Sequence, residues 1–280
     1  MVRKLFKASL FDRKMMLRAV SLARMGEGRT RPNPPVGAVI CRGRRLVSTG
    51  YHRLAGGDHA EVHALKAAGK SVREGTLYVT LEPCSTHGRT PPCTDVIIKS
   101  GIKRVVISCN DPNPKHSGRA GKILNRAGIK VITGVCRNEG EELIKPFSKW
   151  IKRRLPFVTL KLGMTLDGKI ADRHMRSKWI TSAISRASVH RLRKKCDAVM
   201  VGVETVRRDN PSLLPRNDTH NNKFRFVVDS RGRTPLTSKV LTDGYGGVTV
   251  IATTEKCPAK RRAAYERAGA SVWVLQADRG

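Results

Sequence analysis

Aromatic residues are scarce in this sequence, and acidic residues are far outnumbered by basic ones. Only 5% of the 280 residues are Phe, Trp or Tyr, although 39% are hydrophobic. Without interleaved aromatic side chains, the basic stretches lack the stacking surfaces of single-stranded nucleic-acid binders. No apolar run approaches the roughly 18 residues of a membrane helix, and the first residues mix charged with apolar side chains, which disfavours a signal peptide. We therefore expect a cytoplasmic protein without a membrane anchor.

The net charge of +33 arises from 55 Lys and Arg against 22 Asp and Glu. Such an excess favours anionic ligands, because cations neutralise phosphates. Local basic runs occur at 149–154, 186–195 and 260–267, but the charge is spread along the whole chain. This distribution favours a solvated basic surface and a phosphorylated small-molecule ligand. Binding of RNA or DNA is the less favoured alternative.

The seven cysteines are an odd number and are scattered along the chain. Most lie in apolar surroundings, which predicts reduced, buried thiols rather than a disulfide framework. Only Cys84 and Cys93 lie in a polar, turn-rich segment. These two thiols are therefore candidates for chemistry.

Hydrophobic periodicity divides the chain into two α/β regions. A charged, helical stretch ends at Pro156, and it predicts domains at 1–145 and 157–280 joined by a linker at 146–156. The first domain is predicted to have helices at 12–25, 59–68, 92–100 and 118–127, and strands at 36–40, 45–51, 76–81, 104–108 and 129–133. The second is predicted to have strands at 157–162, 198–203, 224–229, 248–253 and 271–275, and helices at 182–195 and 258–268. Strands separated by helices indicate layered α/β domains.

The most specific motif is His59-Ala60-Glu61, followed by Pro83-Cys84 and then by Cys93. One imidazole and two thiolates leave an open position on a tetrahedral Zn²⁺, and a nearby carboxylate can move protons. This combination is typical of zinc-dependent nucleobase deaminases, whose second motif is usually the shorter P-C-x-x-C. The sequence therefore predicts zinc ligands at His59, Cys84 and Cys93 and a catalytic Glu61.

Two other interpretations stay open at this point. Asp58 could cap a helix with Glu61 as its partner in a capping box, which would make Glu61 structural. The zinc could also be structural, with a closed fourth position filled by His87 or His63. The sequence alone does not exclude either interpretation.

The long spacing from Pro83-Cys84 to Gly88-Arg89-Thr90-Pro91-Pro92-Cys93 resembles the bifunctional riboflavin-biosynthesis deaminase–reductase family. Further matching stretches cover most of the chain: 31–37, 50–52, 59–65, 110–114, 160–163, 166–169, 177–181, 203–206, 209–211 and 228–230. The resemblance implies a cytidine-deaminase-like α/β sandwich followed by a dihydrofolate-reductase-like α/β domain. Deamination would remove the 2-amino group of 2,5-diamino-6-(5-phosphoribosylamino)pyrimidin-4-one.

The resemblance also implies the remaining site residues. In the deaminase, Asn33, His52 and Arg89 would hold the substrate, whereas Thr86 replaces a histidine that members often carry. In the reductase, the residues implied for NADPH are Gly163, Trp179, Thr205, Asp209 and Ser230. Those implied for substrate are Ser177, Arg193, Leu213 and Arg216.

Members of the family continue well past Gly280 and carry a Glu-Gly-Gly loop that this sequence lacks. The resemblance therefore implies a reductase domain that is incomplete at its carboxyl end. An incomplete sheet would have an open edge, which favours association between copies. We accordingly include a homo-oligomer among the expectations.

Overall fold

The computed structural model describes residues 8–87, 91–114, 116–174, 176–177, 179–215 and 223–277. The chain forms two compact units, Met1–Thr159 (unit 1) and Leu160–Gly280 (unit 2). Among the described residues, every helix falls short of the length and apolar character needed to cross a membrane. The exact limits of the predicted domains and linker remain a prediction.

Unit 1 contains five strands and six α-helices among its described residues, with short 3₁₀ helices at Arg24–Gly26 and Gly69–Val72. In chain order they are α1 (Leu10–Ala23), β1 (Gly37–Arg42), β2 (Arg45–Tyr51), α2 (Ala60–Ala68), β3 (Thr76–Leu81), α3 (Cys93–Ser100), β4 (Arg104–Cys109), α4 (Arg119–Arg126), β5 (Lys130–Thr133), α5 (Arg137–Leu143) and α6 (Lys145–Arg153). The sheet order is β2-β1-β3-β4-β5. β1 pairs antiparallel with β2 and β3, whereas β3, β4 and β5 are parallel.

Helices cover both faces of this sheet, because alternate residues along each strand point to opposite sides. On one face, Ile40, Leu77 and Val105 join an apolar core with residues of α2, α3 and α4. On the other face, Val39 and Tyr78 pack against the methionines of α1. Each fully buried aliphatic side chain contributes about 1.5–3 kcal/mol to folding. The three-layer sandwich follows from this two-sided burial.

The placement of α2 depends on a close approach to β2. A Cβ atom added to Gly50 would lie only 2.4 Å from the carbonyl oxygen of Ala60, the first residue of α2. The hydroxyl of Ser48 donates a hydrogen bond to the carbonyl oxygen of Ala64 at 2.7 Å. Since only glycine allows this distance, Gly50 sets where the first turn of α2 lies.

Unit 2 contains four parallel strands in the order β6-β7-β8-β9. Its described elements are α7 (Ala183–Lys195), β6 (Ala198–Gly202), α8 (Val203–Asp209), β7 (Phe224–Val228), α9 (Lys239–Thr242), β8 (Thr249–Thr254), α10 (Ala259–Arg267) and β9 (Ser271–Leu275). Val227 and Ile251 face a core shared with Tyr265 of α10. On the opposite face, Met200 and Trp273 are more than half exposed.

The strand predicted over 157–162 is wrong. These residues have no strand assignment, and Val158 and Leu160 are 75% and 82% exposed. A strand requires a neighbour that accepts and donates its backbone hydrogen bonds. The alternating apolar pattern is present, but no described strand pairs with it.

Candidate active site

Three segments bring the candidate metal ligands together at one end of the sheet in unit 1. His59 is the N-cap residue of α2, Cys84 follows the carboxyl end of β3, and Cys93 is the first residue of α3. Nδ1 of His59 lies 3.2 Å from Sγ of Cys93 and 3.6 Å from Sγ of Cys84. All three ligand atoms lie within 4.8 Å of one another.

This donor set fits Zn²⁺. Borderline-soft Zn²⁺ is commonly bound by imidazole nitrogen and thiolate sulfur, and a catalytic site has three protein ligands and one open position. Among the described residues, no further His, Cys, Asp or Glu joins the cluster. His63 and His87 are therefore not part of it, and the closed structural site considered from the sequence is not supported.

Hydrogen bonding separates the acidities of the two thiols. The pKa of Cys84 is lowered to about 4 by its hydrogen bond with Cys93, with further contributions from His59 and from the backbone N–H of Cys93. That N–H lies 3.2 Å from Sγ of Cys84. The same thiol–thiol contact, together with burial, raises the pKa of Cys93. A thiolate is thus stabilised at Cys84 even before a cation is added.

Glu61 lies next to these ligands and is almost completely buried, with 3% of its surface exposed. Burial raises the pKa of its carboxyl group, and the neighbouring His59 opposes that shift. A buried carboxyl group with a raised pKa can both accept and deliver a proton near neutral pH. Glu61 is therefore a buried carboxyl group with a raised pKa beside the candidate metal ligands.

The capping-box interpretation of Asp58 and Glu61 is wrong. The N-cap position is His59, and no side chain caps α2. The carboxylate of Asp58 instead forms an ion pair with Lys66 at 2.6 Å. With α2 beginning at Ala60 rather than at 59, Glu61 is the second helical residue and cannot complete the box. The carboxylate of Glu61 therefore does not cap α2.

The substrate-binding residues implied for the deaminase lie in part beside the cluster. Nε2 of His52 is 3.3 Å from Nδ2 of Asn33, and the His52 ring packs edge-on against His59 with centroids 5.4 Å apart. Thr86 is exposed. Arg89 lies outside the described residues. His52 thus contacts the candidate ligand His59, and Asn33 contacts His52.

Glu82 is a residue that the sequence reasoning missed. It is 5% exposed and its carboxylate accepts backbone hydrogen bonds from Asp111, Gly118 and Ala120 at 3.2, 2.8 and 3.0 Å. The described residues 110–114 and 116–120 are therefore held to the segment that carries Cys84. A carboxylate directly before Pro-Cys, at the end of an apolar strand, was the signal available in the sequence.

In unit 2, two of the implied reductase residues are in contact. Oγ of Ser177 donates a hydrogen bond to Oδ1 of Asp209 at 3.0 Å. Trp179 is 67% exposed, and the guanidinium of Arg186 lies 4.3 Å from its ring centroid. Burial lowers the pKa of Arg193 in the last turn of α7.

The other implied reductase residues are more dispersed. Leu213 is 3% exposed and has a positive φ of 65°, so its side chain belongs to the core and only its backbone can face a ligand. Thr205 lies on α8, and Ser230 follows β7. Gly163 lies near Lys161 and Thr181. Arg216 lies outside the described residues.

Two family models match the chain. Residues 10–109 match the cytidine and deoxycytidylate deaminase zinc-binding region, and residues 156–279 match the RibD C-terminal domain. The first model covers the residues that converge on the metal cluster. The second covers the described elements of unit 2.

Curated proteins and solved structures extend this similarity. The riboflavin biosynthesis protein RibD of Aquifex aeolicus is 46% identical, covering 95% of this chain and 74% of that protein. The RibD protein of Bacillus amyloliquefaciens is 45% identical, covering 93% of this chain and 70% of that protein. A diaminohydroxyphosphoribosylaminopyrimidine deaminase/5-amino-6-(5-phosphoribosylamino)uracil reductase from Thermotoga maritima has a TM-score of 0.82 at 41% identity, covering 94% of this chain and 80% of that one. RibD from Acinetobacter baumannii, form 1, has a TM-score of 0.83 at 36% identity, with 96% and 75% covered.

Proposed function

Because the chain belongs to the RibD family of riboflavin biosynthesis proteins, we propose that unit 1 deaminates 2,5-diamino-6-(5-phosphoribosylamino)pyrimidin-4-one. We further propose that unit 2 reduces the deaminated product. The protein is a deaminase and reductase of riboflavin biosynthesis that uses Zn²⁺ and NADPH. The alternative function, a nucleobase deaminase with an appended basic domain that acts on tRNA or single-stranded DNA, is not favoured by these relatives. The observation that carries the deaminase assignment is the convergence of three ligand atoms beside a buried Glu61.

The residues of unit 1 have separate tasks in the proposed reaction. His59, Cys84 and Cys93 would hold the zinc ion. When bound, zinc is a Lewis acid that lowers the pKa of a coordinated water to about 7. Glu61 accepts a proton from the attacking water and delivers it to a ring nitrogen. Glu61 then carries a proton to the departing amino group. Water and substrate thus become ammonia and the 2-oxo product.

Substrate binding in unit 1 is assigned to Asn33, His52 and Arg89. His52 packs against His59 of the cluster and Asn33 contacts His52, which supports a role for both close to the reacting ring. The substrate's phosphate gives the basic surface an anionic group to attract.

For unit 2, we propose a hydride transfer from NADPH to C1′ of the ring-opened ribosyl group, which is an imine, with a proton added to the imine nitrogen to give the ribitylamino chain. The NADPH residues in this proposal are Gly163, Trp179, Thr205, Asp209 and Ser230. The substrate residues are Ser177, Arg193, Leu213 and Arg216. The hydrogen bond between Ser177 and Asp209 supports a shared site for the two ligands.

Location and assembly are further proposals. Seven free thiols support a cytoplasmic location, because reducing compartments maintain thiols. The partly exposed apolar face of the sheet in unit 2 supports a homo-oligomer, since such faces favour association. Light scattering on the purified protein would measure the mass.

The decisive variant is Glu61→Gln, which retains the shape of the side chain but cannot take up a proton. We expect zinc content to stay at the wild-type level and ammonia release to fall by about 10²- to 10⁴-fold. Glu142→Gln is the matched control, because Glu142 is an exposed carboxylate of the same unit. Ammonia is measured with and without NADPH, and NADPH oxidation is followed separately. Wild-type ammonia release by the Glu61→Gln variant would refute the assigned role.

A further inference from the structure

Arg225 is a fully buried cation of unit 2 that the proposed reaction does not use. It lies on β7 and is 0% exposed. All of its N–H donors are engaged: Nε donates to the hydroxyl of Thr249 at 2.7 Å, Nη1 and Nη2 donate to the carboxylate of Asp243 at 2.6 and 2.7 Å, and the same two nitrogens donate to the carbonyl oxygens of Ser212 and Val240, both at 2.8 Å. Because it is enclosed, Arg225 cannot contact a ligand itself.

Stability alone does not account for a buried ion pair of this kind. Removing both charges from water offsets much of their attraction, and apolar residues of similar volume often stabilise a core as well or better. What Arg225 adds is direction, since a guanidinium forms its hydrogen bonds in a fixed planar fork. The groups that Arg225 holds in place are therefore the ones on which it can act.

Both members of the ion pair bond to Ser212. The guanidinium of Arg225 donates to the carbonyl oxygen of Ser212, and the hydroxyl of Ser212 donates to Oδ2 of Asp243 at 3.0 Å. The peptide bond that follows is trans, so the N–H of Leu213 points away from the side on which Arg225 lies. The ion pair thus fixes the plane of the Ser212–Leu213 peptide group.

The segment 210–213 has no helix or strand assignment. Asn210 and Leu213 have positive φ values of 43° and 65°, in a region that residues with a side chain rarely adopt. Such a conformation persists only where surrounding contacts impose it. At one end, Oδ1 of Asn210 accepts a hydrogen bond from the N–H of Lys239 at 2.8 Å. At the other end, the ion pair holds Ser212.

We infer that Arg225 and Asp243 are a positioning pair for the reductase site of unit 2, which rests on the function proposed for that unit. Their hydrogen bonds orient the backbone of Leu213, the part of this residue that can face a substrate, while its side chain stays in the core. Asp209, the nearest residue proposed for NADPH, is bonded instead to Ser177. Loss of the ion pair should therefore weaken binding of the substrate more than binding of NADPH.

Arg225→Lys tests this role, because lysine retains the charge opposite Asp243 but not the fork that also reaches the carbonyl oxygen of Ser212. We expect the KM for already deaminated substrate to rise about tenfold, as for the loss of one charge-assisted hydrogen bond, and the dissociation constant of NADPH to change less than about threefold. Both are taken per folded molecule, with the folded fraction measured by amide hydrogen exchange of β8. Tyr265→Phe is the matched control. It is a 0% exposed position where one buried hydrogen bond, to the carbonyl oxygen of Thr234 at 3.0 Å, is lost elsewhere in the same core, and its KM should equal that of the wild type.

A wild-type KM in folded Arg225→Lys, or equal weakening of substrate and NADPH binding, would overturn the inference, because a purely structural ion pair predicts one or the other. Failure of the proposed function would look different, since the wild-type protein would then oxidise no NADPH with the deaminated substrate.

A second measurement needs no activity. The backbone carbon-13 chemical shifts of Leu213 depend on its φ, and in Arg225→Lys they should lose the values typical of a left-handed residue. A neutral double variant, Arg225→Gln with Asp243→Asn, serves the same purpose if Arg225→Lys does not fold. A left-handed Leu213 in the variant would overturn the inference. Failure of both variants to fold would also overturn it, because the ion pair would then be a requirement of the fold.

Discussion

Asp12 is the carboxylate that fastens α1 to the sheet of unit 1, and replacing it with asparagine should strongly destabilise that unit. Its oxygens accept two hydrogen bonds from Arg104 at 2.7 and 2.9 Å and one from the hydroxyl of Tyr78 at 2.9 Å. The backbone N–H of Ser9 donates a further bond at 2.8 Å. Asp12 itself is 2% exposed, so no water can replace these partners.

The size of the destabilisation by Asp12→Asn follows from the burial of Asp12. Removing one partner of a buried ion pair costs about 3–5 kcal/mol, because the other charge is left unpaired. The Arg104 side chain is 25% exposed, so water recovers part of its solvation and the lower end applies. We expect Asp12→Asn to lower the free energy of unfolding of unit 1 by about 3 kcal/mol, which is about a hundredfold in the unfolding equilibrium.

Acid should reduce the difference in the free energy of unfolding between the wild-type protein and the Asp12→Asn variant. The hydrogen bond with Arg104 is the main cause that lowers the pKa of Asp12 below its usual range. The unfolded chain, with an ordinary aspartate pKa of about 3.9, therefore takes up the proton first as pH falls. The stabilisation by Asp12 is fully present above about pH 5 and is lost progressively below it. The Asp12→Asn variant lacks this contribution at every pH.

Amide hydrogen exchange of β3 measures unit 1 alone, because β3 lies at the centre of its sheet. Exchange of these amides should accelerate about a hundredfold in Asp12→Asn at pH 7. As pH is lowered towards 3, the exchange rates of the variant and the wild type, corrected for intrinsic rates, should become more similar. Glu74→Gln is the matched control, since its 3.5 Å pair with Lys103 is more than half exposed and such pairs contribute about 0–1 kcal/mol. The reasoning would be refuted if Asp12→Asn accelerated exchange no more than Glu74→Gln does. It would also be refuted if the difference in exchange rate between Asp12→Asn and the wild type did not decrease in acid.

Two further predictions concern the candidate active site. Gly50→Ala should displace the first turn of α2, because the new Cβ would meet the carbonyl oxygen of Ala60 at 2.4 Å. The zinc retained after dialysis and the rate of ammonia release should both fall at least about tenfold, as expected for a displacement near 1 Å. Gly121→Ala is the control, since its Cβ would meet only Val131 at 3.9 Å, and wild-type behaviour of Gly50→Ala would contradict the proposed placement of α2. Removing zinc with a chelator should abolish ammonia release but leave NADPH oxidation with already deaminated substrate intact, because no cluster ligand found among the described residues belongs to unit 2. Loss of both activities on chelation would argue against separate sites.

The regular elements were largely predictable from the sequence. The strands at 45–51, 76–81 and 271–275 have the predicted limits, because a dense run of apolar and β-branched residues ended by turn residues determines them locally. The segment 157–162 has a similar pattern but no described pairing partner. Pairing is a property of the neighbour, which local sequence does not contain.

The donor set of the site was also predictable, whereas its supporting contacts were not. His59, Cys84 and Cys93 follow from a motif whose chemistry is specific. The contacts of His52 with Asn33 and of Glu82 with Asp111, Gly118 and Ala120 join residues 19 to 38 positions apart. They depend on how the layers stack, and no periodicity in the sequence records them.

The carboxylate of Glu82 joins the backbone at Asp111, Gly118 and Ala120 to the segment that carries Cys84. We expect a ligand that binds this segment and shifts it to change the affinity for the metal, and by thermodynamic reciprocity the metal would change the affinity for that ligand by the same factor. The expected route of this coupling is one buried side chain.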